Sequence, residues 1–379
     1  MIDRTLFDGS LQQFRDAVAR FLHRQVMPCH DRWERQGYVD RDLWQQVGEH
    51  GYLCPTVPHK YGGAGADRRY SAVLIEEVAR VGASGLWGCI LHSEVVAPYL
   101  VEYGSDTAKR LYLPGMARGE RIGAIAMTEP GAGSDLQGLA STAVRGDGGY
   151  LLKGTKTFVT NGSQCDVVIV AARTDPSRGA KGVSLLVVDA SAPGVARGRR
   201  LEKTGLPAQD TGELYFDGVW VPEANVLGAP GEGFRYLMRG LPWERLQAAV
   251  SAIAAAQAAI EATVRYTRER LAFGKPLFDL QNTRFSLAAL QTEVQIGRVF
   301  VDRCLELLLE DRLEASAAAM AKYWCTDLQF KVMDACVQLH GGYGYVRELP
   351  VARAWADAAL MRLAGGSNEV MKELIARSM

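Results

Sequence analysis

The chain has 379 residues, of which 48% are hydrophobic and 23% are charged, a composition typical of a globular protein. Its 43 Lys and Arg residues balance 43 Asp and Glu residues, so the formal net charge at pH 7 is zero. This balance argues against the basic surface on which binding to nucleic acid or to anionic membranes depends. We therefore expect the partner to be a small molecule or another protein.

The cysteines and the apolar runs indicate the cellular compartment and whether the chain enters a membrane. Seven cysteines are scattered without a CxxC pair, which predicts free thiols in a reducing compartment and no disulfide framework or metal site. The N-terminal residues lack the apolar segment of a signal peptide. The alanine-rich run 248–262 comes nearest to a membrane span, but Ser251, Gln257 and Glu261 interrupt it. We expect close helix packing there, no membrane insertion, and a cytoplasmic bacterial protein.

Residues 1–119 have the periodicity of helices. In the segment LQQFRDAVARFLHRQVMP, Leu11, Phe14 and Val18 lie on one stripe at helical spacing. The segments RDLWQQVGEHGY, YSAVLIEEVARVGAS and DTAKRLYLPGMARG continue the pattern, and Pro and Gly clusters such as PHKYGGAGAD separate them. These residues therefore predict an N-terminal α-helical domain.

Residues 120–227 change to short runs rich in β-branched and aromatic residues. The runs are YLLKGTKTFVTNG, DVVIVAARTD, GVSLLVVDA and GELYFDGVWVP, each bounded by Gly, Asn, Asp or Pro. This pattern is typical of strands joined by turns. It predicts a compact middle β domain.

Residues 228–379 are helical again after the linker LGAPGEG. Four long helical runs lie at about 242–272, 281–311, 313–340 and 366–378, and four long helices joined by short loops predict an antiparallel bundle. The predicted fold class is α+β, mostly α, with the order α, β, α. No GxGxxG follows a first strand, so the chain does not resemble a Rossmann enzyme.

Three motifs resemble those of the acyl-CoA dehydrogenase family, and in the same order. AMTEPGAGSD (126–135) resembles the first family signature, and RERLAFGKPLFDLQ (268–281) resembles the flavin segment shared between subunits. QLHGGYGYVRELPVARAWADA (338–358), with GGSNEVMKELIAR after it, resembles the second signature. The resemblance covers essentially the whole chain and is closest to the long-chain branch of the family.

The resemblance implies both a fold and an activity. The fold is an N-terminal helical domain, a middle β barrel and a C-terminal four-helix bundle. The activity is the FAD-dependent dehydrogenation of an acyl-CoA thioester to a trans-2-enoyl-CoA, an oxidoreductase reaction of fatty acid and lipid metabolism. Electron-transferring flavoprotein is the implied acceptor, and the implied assembly is a homotetramer built as a dimer of dimers.

The resemblance also implies which residues bind FAD. They are Ile125, Ala126, Met127, Thr128, Gly133, Ser134, Phe158, Val159, Thr160, Arg270, Phe273, Gln281, Gln338, Leu339, His340, Gly341, Gly342, Ser367, Asn368 and Glu369. The aromatic ring at 158 is implied to stack on the flavin, and the hydroxyl at 160 to bond its ring. The guanidinium at 270 is implied to clamp the pyrophosphate of a neighbouring subunit's flavin.

Each of these motifs also has a purely structural interpretation. EPGAGSD is rich in turn residues, TFVTNG could be a strand end followed by an Asn-Gly turn, and RERLAFGKP could be an ordinary helix end. His340, an isolated histidine near a helix end, could equally serve packing. If the FAD assignments hold, the cofactor site is shared and the protein must oligomerise.

The expected catalytic base is missing from its common position. Removal of a weakly acidic α-proton needs a base in a dry pocket, where the pKa of a carboxyl rises. Gly365 stands where many family members carry that carboxylate. The segment LPWERL resembles that of the long-chain branch, whose base lies on the helix that opens the C-terminal domain, and Glu244 falls on this position.

Glu244 also has an interpretation without catalysis. A glutamate two residues after Pro242 suits the first turn of a helix, where it complements the helix dipole, with Arg245 as its ion-pair neighbour. Our hypothesis is that Glu244 supplies the base. Gly365 keeps its amide at the thioester oxygen, together with a ribityl hydroxyl of the flavin.

The residues implied to contact the substrate do not define the acyl group. They are Ser134, Arg235, Pro242, Trp243, Arg245 and Gly366, and no metal is implied. Medium- to long-chain or branched acyl groups remain open, as does a group tethered to a carrier protein in a biosynthetic pathway. A scaffold that binds flavin or acyl-CoA without catalysis is favoured by Gly365 and disfavoured by Glu244. Oxidases and monooxygenases of the same fold are a further alternative.

Overall fold

The computed structural model describes residues 2–379, and the predicted order α, β, α is confirmed. The helices are α1 (Gly9–Phe21), α2 (Met27–Gln36), α3 (Arg41–Glu49), α4 (Arg68–Val81), α5 (Trp87–Leu91), α6 (Ala97–Tyr103), α7 (Asp106–Ala117), α8 (Gly233–Glu269), α9 (Gln281–Leu309), α10 (Ala315–His340), α11 (Pro350–Met361) and α12 (Asn368–Ala376). The strands are β1 (Gly123–Ala126), β2 (Thr142–Gly146), β3 (Gly149–Thr160), β4 (Val167–Arg173), β5 (Val183–Asp189), β6 (Val195–Arg200), β7 (Thr211–Pro222), β8 (Leu271–Ala272) and β9 (Lys275–Pro276).

Capping residues set the ends of the N-terminal helices. The Asp8 side chain accepts from the amides of Ser10 and Leu11 at the start of α1, and the Asp67 side chain caps α4 in the same way. The last helix turn of α4 ends at Gly82, whose φ of +69° suits glycine. These caps satisfy amides and carbonyls that a helix end otherwise leaves unpaired.

The seven strands β1–β7 form one curled sheet. Its order is β1-β4-β2-β3-β7-β6, and β5 pairs with β4. Alternate residues of β4 lie in two different cores: Val167 and Ile169 face the helices, and Val168 and Val170 face the interior of the sheet. A strand buried on both faces reads as one continuous apolar run, which is why VVIVAA does not alternate. The strands β1, β2 and β6 were not predicted, because they are short and carry Gly, Ala or Arg in place of β-branched runs.

The helices α8–α12 form the C-terminal bundle. The buried alanines Ala249, Ala252 and Ala256 let α8 lie close to its neighbours, as the alanine-rich sequence predicted. Among residues 2–379, α8 is the one helix long and apolar enough to cross a membrane, and most of that stretch is buried inside the protein. Such burial is typical of the central helix of a bundle.

The predicted start of α8 was wrong. The helix begins at Gly233, and Pro242 lies inside it and not in its first turn. A proline inside a helix removes one backbone hydrogen bond, but Tyr236 and Leu237 before it are buried in the core and hold the preceding turns in place. The helix α11, which lies between the third and fourth predicted runs, was also missed.

A buried ion cluster fixes the N-terminal helices on the bundle. Glu76 of α4 accepts from Arg4 at 2.8 Å, from Arg15 at 2.6 Å and from Arg298 of α9 at 2.7 Å. Burial alone would raise the pKa of this carboxyl, but the charges of Arg298, Arg4 and Arg15 lower it to about 2. The carboxylate therefore stays charged, and α4 is held against α9.

Two polar residues join the N-terminal helices to the sheet. His92 accepts from the amide of Gly123 at 2.8 Å, and its other ring nitrogen lies 3.1 Å from the Met116 carbonyl. Asn161, at the end of β3, donates to the carbonyls of Gly88 and Gly123 at 3.0 and 2.9 Å. These contacts fix β1 and the end of β3 beside α5 and the π-helical turn His92–Val96 that follows it.

Candidate active site

Glu244 and Tyr99 form a hydrogen-bonded pair between α8 and α6. Tyr99 is buried, and its hydroxyl donates to Glu244 Oε1 at 3.0 Å. Burial raises the pKa of Glu244 to about 7, although the Tyr99 hydrogen bond and the charge of Arg245 act to lower it. A carboxyl with this pKa is able to exchange a proton near neutral pH. Because Glu244 lies well inside α8, the interpretation that it complements the dipole at a helix start is wrong.

Gly240 makes room for this pair. It lies one helical turn before Glu244, and a Cβ there would lie 2.4 Å from Tyr99 Oη and 3.1 Å from Glu244 Oε1. Glycine inside a helix costs about 1 kcal/mol relative to alanine. The close approach of Tyr99 is the physical reason for the glycine.

Gly365 and Gly366 form a left-handed turn between α11 and α12. Their φ values are +67° and +92°, a conformation that residues with a Cβ avoid at a cost of about 1–2 kcal/mol. Within residues 2–379 the Gly365 amide has no acceptor, and no atom lies within 4 Å of its Cβ position. The backbone at this turn therefore favours glycine and leaves an amide open to a ligand.

Lys322 of α10 holds the turn through hydrogen bonds. This lysine is fully buried and donates to the carbonyls of Arg362 and Gly366 at 3.2 and 2.8 Å. It also donates to Asn368 Oδ1 at 2.8 Å. Burial, with a smaller contribution from the charge of Arg245, lowers the pKa of Lys322 to about 8. Lys322 thus connects α10 to both sides of the glycine turn.

The other predicted residues of the glycine turn lie at the start of α12. Ser367 accepts from the amide of Val370 at 3.4 Å and caps the helix. Asn368 is buried and Glu369 is exposed. The turn and the first residues of α12 are therefore one continuous segment.

Four residues of α8 predicted to contact substrate differ in their surroundings. Trp243 is buried, and the Arg68 guanidinium lies 4.8 Å from the centre of its ring. Arg245 is buried beside Glu244, and its Nε has no hydrogen-bond partner among residues 2–379. Arg235 is exposed and pairs with Glu232 at 2.6 Å. Pro242, which is partly buried, lies between these two regions of the helix.

The first predicted flavin segment lies against the end of β3. The Thr157 amide donates to the Thr128 carbonyl at 3.0 Å, and Lys156 Nζ donates to the Met127 carbonyl at 3.1 Å. Ile125 and Ala126 on β1 are buried. Gly133 and Ser134 lie in the exposed loop that follows β1. The structure thus brings residues 125–128 beside residues 158–160.

A bulge in β3 turns Phe158 outward. The register with β7 shifts between Lys156 and Val159, and Phe158 has a φ of +55° and is 67% exposed. Bulges of this kind re-aim a side chain. Beside it, Thr160 Oγ1 accepts from Gln209 Nε2 at 3.2 Å, so the hydroxyl proton of Thr160 remains available to another acceptor. Val159 points the other way and is buried.

A second set of predicted residues lines a groove of about 640 Å³ at the ends of α8 and α10. Arg270 and residues 338–342, which are Gln338, Leu339, His340, Gly341 and Gly342, form much of its wall. His340 stacks on Tyr266 with ring centres 4.1 Å apart, and its Nδ1 lies 2.8 Å from the Cys336 carbonyl. The histidine side chain therefore serves packing, and the backbone of the glycines after it faces the groove.

The groove and the β3 face are separate in one chain. Phe273, at the tip of the β8–β9 hairpin, is 91% exposed, and Gln281 at the start of α9 is exposed too. Within residues 2–379, no hydrogen bond or ring contact joins Arg270, Phe273, Gln281 or residues 338–342 to residues 125–160. The two predicted flavin regions are thus assembled independently.

Three residues of the site were missed from the sequence. Gly240 left a signal, because an isolated glycine inside a helical pattern often marks a close approach. Lys322 left a weaker signal as a lysine within the apolar run AAAMAKYWC. Tyr99 left none, since α6 meets α8 only through tertiary packing.

Gly240→Ala is expected to destabilise the protein by about 1–3 kcal/mol, because its Cβ would overlap the Tyr99 hydroxyl. Urea unfolding measures the change. Gly9→Ala is the matched control, since Gly9 lies in α1 with no atom within 4 Å of its Cβ position, and alanine there is expected to be neutral or stabilising. Equal stabilisation by both substitutions would contradict the crowding at Gly240.

Comparisons with known proteins agree with this architecture. Family models of the acyl-CoA dehydrogenase N-terminal, middle and C-terminal domains match residues 9–120, 124–219 and 231–379. The long-chain specific acyl-CoA dehydrogenase of Sus scrofa mitochondria is 45% identical over 99% of this chain and 87% of its own. The crystal structure of an acyl-CoA dehydrogenase from Geobacillus kaustophilus is 44% identical, covers 99% of both chains and has a TM-score of 0.97.

A further solved structure concerns electron transfer. A chain in the structure described as the electron-transferring flavoprotein of Acidaminococcus fermentans is 32% identical, covers 100% of this chain and 99% of its own, and has a TM-score of 0.95. The identity and coverage of the Sus scrofa enzyme are sufficient to establish the family. The chain belongs to the acyl-CoA dehydrogenase family and is an FAD-dependent oxidoreductase that dehydrogenates acyl-CoA thioesters.

Proposed function

We propose that Glu244 is the base that removes the α-proton of a saturated fatty acyl-CoA, giving a trans-2-enoyl-CoA. The observation that carries this proposal is the near-neutral pKa of the Glu244 carboxyl, held by Tyr99 in the space that Gly240 leaves. Bound FAD would supply the acceptor for the hydride that leaves the β carbon. Glu244 thus takes the α-proton, and the electron pair of that bond forms the new carbon–carbon double bond. The electron pair of the β carbon–hydrogen bond leaves with the hydride.

The Gly365 amide is the proposed donor to the thioester oxygen. Negative charge develops on that oxygen as the α-proton leaves, and a fixed N–H lowers the energy of the resulting enolate. The open amide at Gly365 supports this role, as does the buried Lys322, which donates to the Gly366 carbonyl at 2.8 Å. In this proposal the base comes from α8 and the oxyanion donor from the turn between α11 and α12, so a glycine at 365 serves the second function only.

The residues present fit FAD. The exposed Phe158 ring offers a stacking surface, and the free proton of the Thr160 hydroxyl offers a donor to a ring acceptor. Gly341 and Gly342 have no atom within 4 Å of their Cβ positions, so backbone amides there are open to phosphate. We propose the remaining predicted flavin contacts, at residues 125–128, 133–134 and 367–369, on the same basis.

The substrate and acceptor are proposed from the relatives. Similarity to a long-chain specific enzyme supports a fatty acyl-CoA, with Ser134, Trp243, Arg245 and Gly366 near the thioester. Similarity to a chain of an electron-transferring flavoprotein structure supports such a flavoprotein as the partner in electron transfer. The free thiols of the described cysteines support a reducing compartment such as the cytoplasm.

The direct test is anaerobic mixing of the flavin-loaded protein with saturated acyl-CoAs of increasing chain length. Loss of the yellow flavin colour is expected with fatty acyl-CoAs, and Glu244→Gln is expected to slow it about 100- to 10,000-fold because the amide cannot accept the proton. Glu261→Gln is the matched control, since Glu261 lies on the same helix and pairs with Arg80. Wild-type bleaching by Glu244→Gln would overturn the proposal.

Tyr99→Phe is expected to move the pH dependence of the reaction upward. The Tyr99 hydrogen bond favours the charged form of Glu244, so its loss raises the pKa of Glu244 above about 7. Since the base works when deprotonated, kcat/KM on the acid side is expected to fall, with its midpoint shifted to higher pH than in the wild type. An unchanged or lower midpoint in the pH–rate profile would contradict the proposed pair.

We propose that the protein is a homo-oligomer, a tetramer built as a dimer of dimers, in which a second copy completes each flavin site. The separation of the Arg270 groove from the Phe158 face supports this, as do the large exposed side chains Phe273 at 91%, Tyr345 at 84% and Leu271 at 64%. Apolar side chains exposed in a cluster often mark a protein interface.

Arg270→Met is expected to weaken flavin retention about tenfold or more, because a charge-assisted hydrogen bond to phosphate is lost. The flavin-to-protein ratio after gel filtration measures this, with Arg110→Met, which alters an exposed arginine of α7, as the control. Sedimentation is expected to give a tetramer for the flavin-loaded wild type. A flavin-loaded monomer would contradict the shared site.

A further inference from the structure

Lys322 is a buried charge that the proposed chemistry does not use. Its side chain is fully buried, and its three protons meet three acceptors: the carbonyls of Arg362 and Gly366 at 3.2 and 2.8 Å and Asn368 Oδ1 at 2.8 Å. Removing an ammonium from water is costly, and the pKa of Lys322 falls to about 8 as a result of burial. An apolar side chain would fill the same space without the cost of removing an ammonium from water. We therefore expect a role that requires the charge and its three hydrogen bonds.

The acceptors of Lys322 lie on both sides of one short turn. The Arg362 carbonyl precedes Gly365, the Gly366 carbonyl follows it, and Asn368 begins the next helix. The Asn368 amide nitrogen donates to Thr326 Oγ1 at 3.0 Å and to Asp327 Oδ1 at 2.9 Å. Each of these partners lies on α10, so a single helix fixes the beginning and the end of the turn.

Within the turn itself, one backbone hydrogen bond, from the Asn368 amide to the Arg362 carbonyl at 3.0 Å, limits its motion. The turn contains two consecutive glycines in left-handed conformations, and glycine has more backbone freedom than any other residue. Without the ammonium, the carbonyls at 362 and 366 would lose a shared donor, and the peptides between them would rotate more easily. One of these peptides carries the Gly365 amide.

We propose that Lys322 is a positioning residue for catalysis, which fixes the Gly365–Gly366 turn so that the Gly365 amide stays directed at the thioester oxygen. This inference rests on the proposed roles of Glu244 and Gly365. An oxyanion donor acts only when held in place before the charge develops. Lys322 therefore affects formation of the enolate without contacting the substrate.

The test separates enolate formation from hydride transfer. Flavin-loaded wild type and Lys322→Met are mixed with 3-thiaoctanoyl-CoA in D₂O, because the sulfur at position 3 carries no hydrogen and hydride transfer is blocked. Exchange of the α-protons is followed by mass spectrometry, and binding of the analogue is measured separately. Lys322→Met is expected to slow α-proton exchange about tenfold or more, with the dissociation constant changed by less than about twofold.

Amide hydrogen exchange provides a second readout that does not depend on flavin. Peptides covering residues 362–368 are expected to exchange about tenfold faster in Lys322→Met than in the wild type. Lys331→Met is the matched control, because Lys331 lies on the same helix and pairs with Glu293 at the surface. It is expected to match the wild type in both measurements.

The outcomes are distinguishable. Wild-type α-proton exchange in a folded, flavin-loaded Lys322→Met protein overturns the inference, as does a loss of analogue binding without a slower exchange of bound analogue. If Lys322→Met does not fold or hold flavin, Lys322→Gln carries the test under the same criterion. Glu244→Gln is measured alongside: wild-type exchange in that variant would show that the proposed base is wrong, which is a separate failure.

Discussion

The proposed chemistry depends on the carboxyl group of Glu244, which is shielded from water. In the proposed mechanism Glu244 acts as a base because burial raises its pKa to about 7, while the Tyr99 hydrogen bond stabilises its charged form. The pair requires α8 to be continuous through Pro242, and it requires Gly240 to leave space on the same face. Elsewhere in the fold, the ion cluster at Glu76 holds α4 against α9, and the contacts of Asn161 hold α5 against β1. The helix α8 thus carries both Glu244 and the glycine that makes room for its partner.

The glycine at 365 is consistent with a site in which the base and the oxyanion donor lie on different segments. At a φ of +67° a glutamate would be strained, whereas glycine presents its amide freely. In the proposed mechanism the base comes from α8, and the turn after α11 contributes only a backbone amide. Backbone donors are precise only when their segment is rigid, and the buried ammonium of Lys322 supplies that rigidity from a third helix.

The helices and strands with clear periodicity could be predicted from the sequence, and so could the family motifs. The start of α8 could not, because Pro242 is equally typical of a first helical turn, and only tertiary burial of the preceding residues extends the helix back to Gly233. The partners of Glu244 were beyond prediction for a related reason: Tyr99 lies 145 residues away in the sequence. The left-handed turn at Gly365 left no sign except the glycine itself.

The most direct measurement is an infrared titration of the Glu244 carboxyl in protein carrying isotope-labelled glutamate, with Glu244→Gln subtracted. The account predicts a protonated carboxyl band that disappears with a midpoint near pH 7 and is absent from the variant. A carboxyl that titrates near its ordinary pKa of 4.5 would contradict it, because Glu244 would then be too well solvated to serve as the base described.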